Sequence, residues 1–131
     1  MNLFANRSLI AWNGVDSQSP LDYVHPLRRA DLQKILAHVP DSVEMIIVYG
    51  SSLGDYLLDD SDLDLAVVSR DKACFNPKVL EKMALDAVVD VQVFPTLDDL
   101  IEQAEGFFPT PRAIVDEGLP VYMKGKAVRL V

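Results

Sequence analysis

Two aspartates one residue apart open an apolar segment near the middle of the chain, and a glycine–serine turn stands before them. The aspartates lie in Ser61-Asp62-Leu63-Asp64-Leu65, and the turn Gly50-Ser51-Ser52 follows the apolar run Val43–Tyr49. Because successive strand residues point to opposite faces, Asp62 and Asp64 are expected to share one face. Paired carboxylates beside a phosphate-binding turn are what metal-dependent phosphoryl or nucleotidyl transfer requires.

A third aspartate, Asp90, interrupts the otherwise apolar stretch Val88–Phe94. An acidic side chain within such a strand is costly unless it is paired, hydrogen-bonded or bound to a metal. If this strand pairs beside the one that follows Asp62, all three carboxylates would face one cation site. We therefore predict a metal site formed by Asp62, Asp64 and Asp90. The alternative is a solvated acidic loop for Asp62 and a strand edge exposed to water for Asp64 and Asp90. For the preceding Asp59 and Asp60 a solvated acidic loop is favoured.

Two other motifs resemble parts of this region, and the sequence excludes both. The run that starts at Asp60 has the opening spacing of a calcium loop, but such a loop needs glycine at its sixth position, where Leu65 stands. The segment Gly50–Gly54 fits the G-x-S-x-G nucleophile elbow of serine hydrolases. That fold places its histidine after the serine, whereas His25 and His38 both precede it. Neither chemistry fits the chain.

The segments around these residues alternate between helical and extended patterns. Runs of β-branched residues predict strands, and prolines or capping residues before apolar periodicity predict helix starts. The expected strands are Val43–Tyr49, Leu63–Ser69, Ala87–Phe94 and Val121–Met123. Five helices are expected. The first starts at Pro26 and ends before Pro40, the second covers 51–58, and the third follows the N-cap Asn76 and contains Leu80, Met83 and Ala84. The fourth follows the capping box Thr96–Asp99; Pro109 and Pro111 then break the chain, and the fifth carries Ile114 and Val115 and ends at Gly118.

Length and composition favour a single folded domain. The chain has 131 residues, of which half are hydrophobic, so it can bury a core without disulfides or metals. The alternating elements predict an α/β (α+β) domain over residues 25–131, with a small mixed sheet flanked by helices. Residues 1–24 are poorly periodic and are interpreted as an N-terminal arm of uncertain role. Within them, the segment 8–12 fits either a short strand or an interaction arm.

The charge balance bears on partners and location. The chain has 20 acidic and 12 basic residues, a net charge of −8, which disfavours binding to nucleic acid. Its single cysteine, Cys74, permits no internal disulfide and no cysteine-based zinc site. No run approaches the roughly 18–20 apolar residues of a membrane span, and no signal-peptide pattern opens the chain. We expect a cytoplasmic protein that does not bind membranes.

In combination, these motifs resemble the DNA polymerase beta-type nucleotidyltransferase superfamily. The resemblance is carried by Gly50-Ser51, by Ser61–Leu65 with Asp62 twelve residues after Gly50, and by the lone Asp90. The best match is the small stand-alone branch, the minimal nucleotidyltransferases (MNT), over about residues 27–125, including the tail 114–122. The family often has an Ala-Arg-Gly or similar triplet after the glycine–serine pair, with the second glycine five residues after the first. Here Gly54 comes four residues after Gly50, and no arginine follows the turn.

The resemblance implies a polymerase-beta-like fold and a role for each motif residue. Gly50, Ser51 and Ser61 would bind the nucleotide, with Ser51 using its hydroxyl and its amide near a helix N-terminus. Asp62 and Asp64 would bind two Mg²⁺ ions. Asp90 would bind the catalytic metal and act as base for the attacking hydroxyl.

The resemblance also implies a reaction and a partner. ATP would be the substrate, and AMP would pass to a hydroxyl, in this branch a tyrosine of a HEPN-domain toxin for which the nucleotidyltransferase is the antitoxin. The alternative is an antitoxin that neutralises its partner by docking with weak or no catalysis, and the altered turn after Ser51 keeps it open. Transfer to a small molecule such as an aminoglycoside, or to tRNA, is disfavoured by the missing additional domain and the acidic charge. A homo- or hetero-oligomer is compatible with either reading.

Overall fold

The strands that carry the predicted site residues lie side by side in one mixed sheet. The structure is a computed structural model that describes residues 9–11, 20–53, 61–106, 108–125 and 128–130. Within them the four strands of this sheet are β2 (Val43–Tyr49), β3 (Leu63–Ser69), β4 (Val89–Phe94) and β5 (Leu119–Met123), in the order β4-β3-β2-β5. β2 is antiparallel to β3 and β5, whereas β3 and β4 are parallel. The expected mixed α/β fold is confirmed.

Helices cover both faces of the sheet. They are α1 (Pro26–Leu36), α2 (Pro77–Glu81), α3 (Leu97–Glu105) and α4 (Pro109–Glu117). Leu63, Leu65 and Val67 belong to a core cluster that contains residues of α1 and α2. Ala66 and Val68 point to the other face and belong to a cluster with residues of α3 and α4. The alternation along β3 thus gives the sheet two apolar faces, as expected for a strand buried on both sides.

The strands predicted at Val43–Tyr49 and Leu63–Ser69 are confirmed with the same bounds. β4 starts at Val89 rather than at Ala87. The Ala87 N–H donates to the Asp31 carboxylate at 3.0 Å instead of to a neighbouring strand. β5 is two residues longer than expected and includes Pro120. Proline is tolerated there because β5 lies at the edge of the sheet and needs no second ladder partner.

Three helix predictions need correction. Asn76 caps α2 as expected by accepting the Val79 N–H at 3.0 Å, but the helix ends at Glu81, so Met83 and Ala84 lie outside it. Ala84 has φ +52, a left-handed backbone conformation that does not occur within a right-handed α-helix. Pro109 and Pro111 do not break the chain; they form the first turn of α4, where proline's missing N–H is no loss. Of the helix expected over 51–58, the described part is a 3₁₀ helix, Gly50–Leu53, and residues 54–60 lie outside the description.

The N-terminal segment contributes one short strand to the described structure. β1 (Leu9–Ala11) pairs antiparallel with β6 (Val128–Leu130), with Ile10 opposite Arg129. Of the two interpretations of segment 8–12, the strand is therefore confirmed for these three residues. The boundary between arm and domain at residue 24 stays a prediction. In the described residues, no helix combines the length and the apolar character needed to cross a membrane.

The capping box at the start of α3 provides a first test of the fold. Thr96 Oγ1 accepts the Asp99 N–H at 3.1 Å, and the same hydroxyl donates to Asp99 Oδ2 at 2.9 Å. We expect Thr96→Ala to lower the free energy of unfolding by about 1 kcal/mol, the usual effect of losing such a cap. Urea denaturation measures it, with Thr110→Ala at an exposed position of α4 as the control. Equal stabilities of the two variants would contradict the capping role.

Candidate active site

Three side chains lie side by side across three neighbouring strands at one end of the sheet. Tyr49 closes β2 and is paired with Asp64 of β3, and Asp64 is paired with Asp90 of β4. Paired residues in adjacent strands point to the same face of a sheet. Asp62 stands two residues before Asp64, one residue ahead of the strand. The expected pairing of the Asp90 strand beside β3 is therefore confirmed, and it brings Asp64 and Asp90 together.

The carboxylates interact electrostatically. Burial raises the pKa of Asp64 above its usual range, and the negative charges of Asp90 and then Asp62 raise it further. Like charges at short range favour the neutral form of one partner unless a cation lies between them. Asp64 is half-buried, whereas Asp62 and Asp90 are exposed. The site thus consists of one partly enclosed carboxylate flanked by two that a ligand can reach.

Among the described residues, the charge of these aspartates is not balanced by ion pairs with basic side chains. In the described parts of the chain, no lysine or arginine forms an ion pair with Asp62, Asp64 or Asp90; Arg112 pairs with Asp116, and Lys124 lies near Glu44. Nor do three His, Cys, Asp or Glu side chains of those parts come close enough together to hold one ion. Carboxylate oxygens are the donors that Mg²⁺ prefers, so the donor set fits this ion. Binding would have to draw the carboxylates together.

Gly50 brings the predicted phosphate-binding turn into contact with Asp64. It has φ +78, and a Cβ added to it would lie 2.5 Å from Asp64 Oδ2. Glycine is therefore required at this position for two reasons: its backbone conformation, and the space that the carboxylate occupies. Gly50 and Ser51 are exposed, so both are open to a ligand.

The serines of this region differ in what they can reach. Ser52 is fully buried, and its hydroxyl has no hydrogen-bond partner among the described residues. Ser51 is exposed, which leaves its hydroxyl available as predicted. Of the helix expected behind it, the described part is the 3₁₀ helix Gly50–Leu53, and residues 54–58 lie outside the description. Ser61 is half-buried just before Asp62, and its carbonyl accepts a hydrogen bond from Arg28.

Tyr49 is a site residue that the sequence interpretation missed. Its side chain is buried, and this burial together with the charges of Asp64 and Asp90 raises the pKa of its phenol to about 12. A phenol is protonated at neutral pH, so Tyr49 presents a hydroxyl donor on the strand beside the two carboxylates. The available signal was its position immediately before Gly50, at the end of a strand predicted to lead into the site.

Arg28 and Asp31 were also missed, although both are buried in α1. Together with Leu32 and Ile35 they occupy positions i, i+3, i+4 and i+7, which form one helix face. Two charged residues in an otherwise apolar stripe were the signal that could have identified them. His25 caps α1 by accepting the Leu27 N–H at 3.2 Å.

A cavity of about 610 Å³ lies elsewhere, between the far ends of β2 and β3 and the start of α3. It is lined by Met45, Val68 and Leu97, with Arg70 and Lys124 at its polar side. None of the predicted site residues lines it. The acidic site is therefore separate from this cavity and lies at the opposite end of the strands.

Comparisons of the chain with models of protein families, with curated protein sequences and with solved structures found no match.

Proposed function

We propose that this protein is a Mg²⁺-dependent nucleotidyltransferase with a polymerase-beta-like fold, which transfers AMP from ATP to a hydroxyl acceptor. The observation that carries the proposal is the register of β3 and β4, which pairs Asp64 with Asp90 next to Gly50. Asp62 adds a third charge that acts on Asp64. Three interacting carboxylates beside a turn are suited to divalent ions that carry a triphosphate.

Each side chain has a role in this reaction. Asp62, Asp64 and Asp90 would hold two Mg²⁺ ions, which when bound neutralise charge on the triphosphate. The acceptor oxygen attacks the α-phosphorus, the bond to the β-phosphate oxygen breaks, and pyrophosphate leaves. Asp90 takes the proton of the acceptor hydroxyl, a role that suits its exposed position. The phenol of Tyr49 lies beside these carboxylates and feels the charges of Asp64 and Asp90.

The nucleotide would lie against Gly50 and Ser51, with Ser61 nearby. The exposure of the first two leaves room for phosphate oxygens, and the missing Cβ at Gly50 allows close approach. Three carboxylates repel a triphosphate, so binding of ATP is expected to depend strictly on the divalent ion.

For the acceptor we propose a tyrosine of a HEPN-type toxin, with this protein as its antitoxin. The support is the motif resemblance together with a net charge of −8, which suits docking on a basic partner. The second candidate function, neutralisation of the same partner by docking alone, is favoured by one specific observation. Among the described residues, the carboxylates are not gathered closely enough to hold one ion.

Calorimetry and intact mass distinguish these functions. ATP is titrated into the protein with Mg²⁺ and, in parallel, with EDTA; we expect heat of binding only with Mg²⁺. The product of the neighbouring gene is then incubated with the protein, ATP and Mg²⁺, and its mass is expected to rise by one or more AMP units. Stable complex formation without a mass change would support docking alone. Absence of ATP binding in both titrations would contradict the enzymatic proposal.

A further inference from the structure

We propose that the N-terminal half of α1 positions the candidate site, with Arg28 and Asp31 as its positioning residues. The role in metal binding rests on the proposed function, whereas the geometric part rests on hydrogen bonds alone. α1 packs on the sheet face opposite Asp64 and Asp90. Its residues therefore act on the site through the backbone of the segments that carry the carboxylates.

Arg28 holds the segment that leads into β3. Its side chain is buried, with 4% of its surface exposed. Nη2 donates to the Ser61 carbonyl at 3.0 Å, and Nη1 donates to the Leu27 carbonyl at 3.3 Å. Ser61 immediately precedes Asp62, so this contact fixes the backbone one residue before the first carboxylate. A guanidinium suits the task because it offers several donors in a rigid plane.

Asp31, one helical turn further along α1, holds the segment that leads into β4. Only 1% of its surface is exposed, and each carboxylate oxygen accepts one backbone N–H, from Asp86 at 2.9 Å and from Ala87 at 3.0 Å. Asp86 lies four residues and Ala87 three residues before Asp90. A buried carboxylate is costly in the absence of such donors, and two charge-assisted hydrogen bonds offset that cost.

Two backbone hydrogen bonds complete the arrangement. The His25 N–H, at the cap of α1, donates to the Ser52 carbonyl at 2.7 Å, which holds the glycine–serine turn. The Leu63 N–H donates to the Val88 carbonyl at 2.8 Å, which joins the starts of β3 and β4. All three segments that contain predicted site residues are therefore fixed to the same end of one helix.

Charged side chains are not needed merely to cover a sheet. Apolar residues of similar volume often replace buried charged groups without loss of stability. What Arg28 and Asp31 supply in addition is directed hydrogen bonds to Ser61, Asp86 and Ala87. Displacements of about 1 Å at a reacting centre can change rates by about 100-fold, so such anchoring matters for a metal site.

Hydrogen exchange and Mn²⁺ binding test this inference on the full chain. The variants are Arg28→Met, which keeps an unbranched stem but loses the donors, and Asp31→Asn, which loses one acceptor. We expect Arg28→Met to speed amide exchange selectively at residues 62–64 and Asp31→Asn at 86–90. Mn²⁺ alone, followed by electron paramagnetic resonance, should bind about 10- to 100-fold more weakly to both, the range seen when outer contacts of metal sites are lost.

Arg29→Met is the matched control. It removes the same charge from the same helix, but the Arg29 side chain donates to the Val24 carbonyl and not to a segment that leads into β3 or β4. It should leave Mn²⁺ affinity and local exchange near those of the parent. Arg28→Lys should restore part of the affinity by keeping one donor, and it keeps the test open if Arg28→Met does not fold. Faster exchange spread evenly over the chain, with Mn²⁺ affinity unchanged in the folded fraction, would overturn the inference. If the variants show the local exchange pattern but the parent binds no Mn²⁺, the proposed function is refuted and the positioning role is still supported.

Discussion

Replacing Asp64 by asparagine is expected to remove Mg²⁺-dependent ATP binding while leaving the metal-free protein at least as stable as the parent. Asp64 is the carboxylate that interacts with both Asp62 and Asp90. Its loss should weaken MgATP binding by more than about 100-fold, since outer contacts of metal sites alone are worth about 10- to 100-fold. A residue that supports only the fold would have the opposite profile, with stability lost and binding retained by the folded fraction.

The pH dependence of stability gives this prediction a definite sign. The pKa of Asp64 is raised in the folded protein above its ordinary value of 3.8, so the folded state binds its proton more tightly than the unfolded state does. The resulting stabilisation is complete below pH 3.8 and is lost as pH rises through the raised value. Without Mg²⁺, the stability of Asp64→Asn relative to the parent should therefore increase from about pH 4 upward and then level off.

Urea denaturation in EDTA at several pH values measures this difference, and calorimetry with MgATP measures binding. Asp41→Asn is the control, because Asp41 is exposed and lies before the start of β2, at the far end from Gly50. It should show neither the binding loss nor the pH-dependent gain. If Asp64→Asn is destabilised at neutral pH and still binds MgATP as the parent does, Asp64 is a structural residue and the site assignment fails.

The strands beside the site could be predicted from the sequence, but their register could not. β2 and β3 have the expected bounds because apolar β-branched runs end at turn residues in both. The pairing of Asp64 with Asp90 depends on how far the parallel crossover shifts β4 along β3, which no local pattern encodes. The pattern therefore supplied the candidate carboxylates, and the tertiary structure shows that two of them are neighbours.

Residues that act through tertiary contacts were the hardest to predict. The stripe that Arg28 and Asp31 share with Leu32 and Ile35 marks them as buried, but it does not reveal their partners, which lie 33 and 55 residues away along the chain. The end of α2 at Glu81 was missed for a similar reason. Lys34 of α1 donates to the Ala84 carbonyl at 2.9 Å, and this contact from another element holds the non-helical backbone that follows.

Gly50→Ala is expected to disrupt the site even though it adds a single methyl group. The backbone at Gly50 has φ +78, where an L-residue costs about 1–2 kcal/mol. The added Cβ would also lie 2.5 Å from Asp64 Oδ2, so the carboxylate must rotate away from the turn or the turn must shift. Either movement separates the proposed phosphate-binding turn from the proposed metal-binding carboxylate. We expect MgATP binding to fall at least about 10-fold by calorimetry, with the backbone cost visible in urea denaturation.

Gly125→Ala separates the two effects, because Gly125 has φ +72 but no atom within 4 Å of an added Cβ. It should lose a similar free energy of unfolding and bind MgATP like the parent. A double-mutant cycle with Asp64→Ala then tests the contact itself. If the Cβ acts by displacing the carboxylate, Gly50→Ala will be less destabilising in the Asp64→Ala background, close to the cost of Gly125→Ala. If the two substitutions show no coupling free energy, glycine is needed at position 50 only for its backbone conformation. The glycine–serine turn and Asp64 then do not form one site.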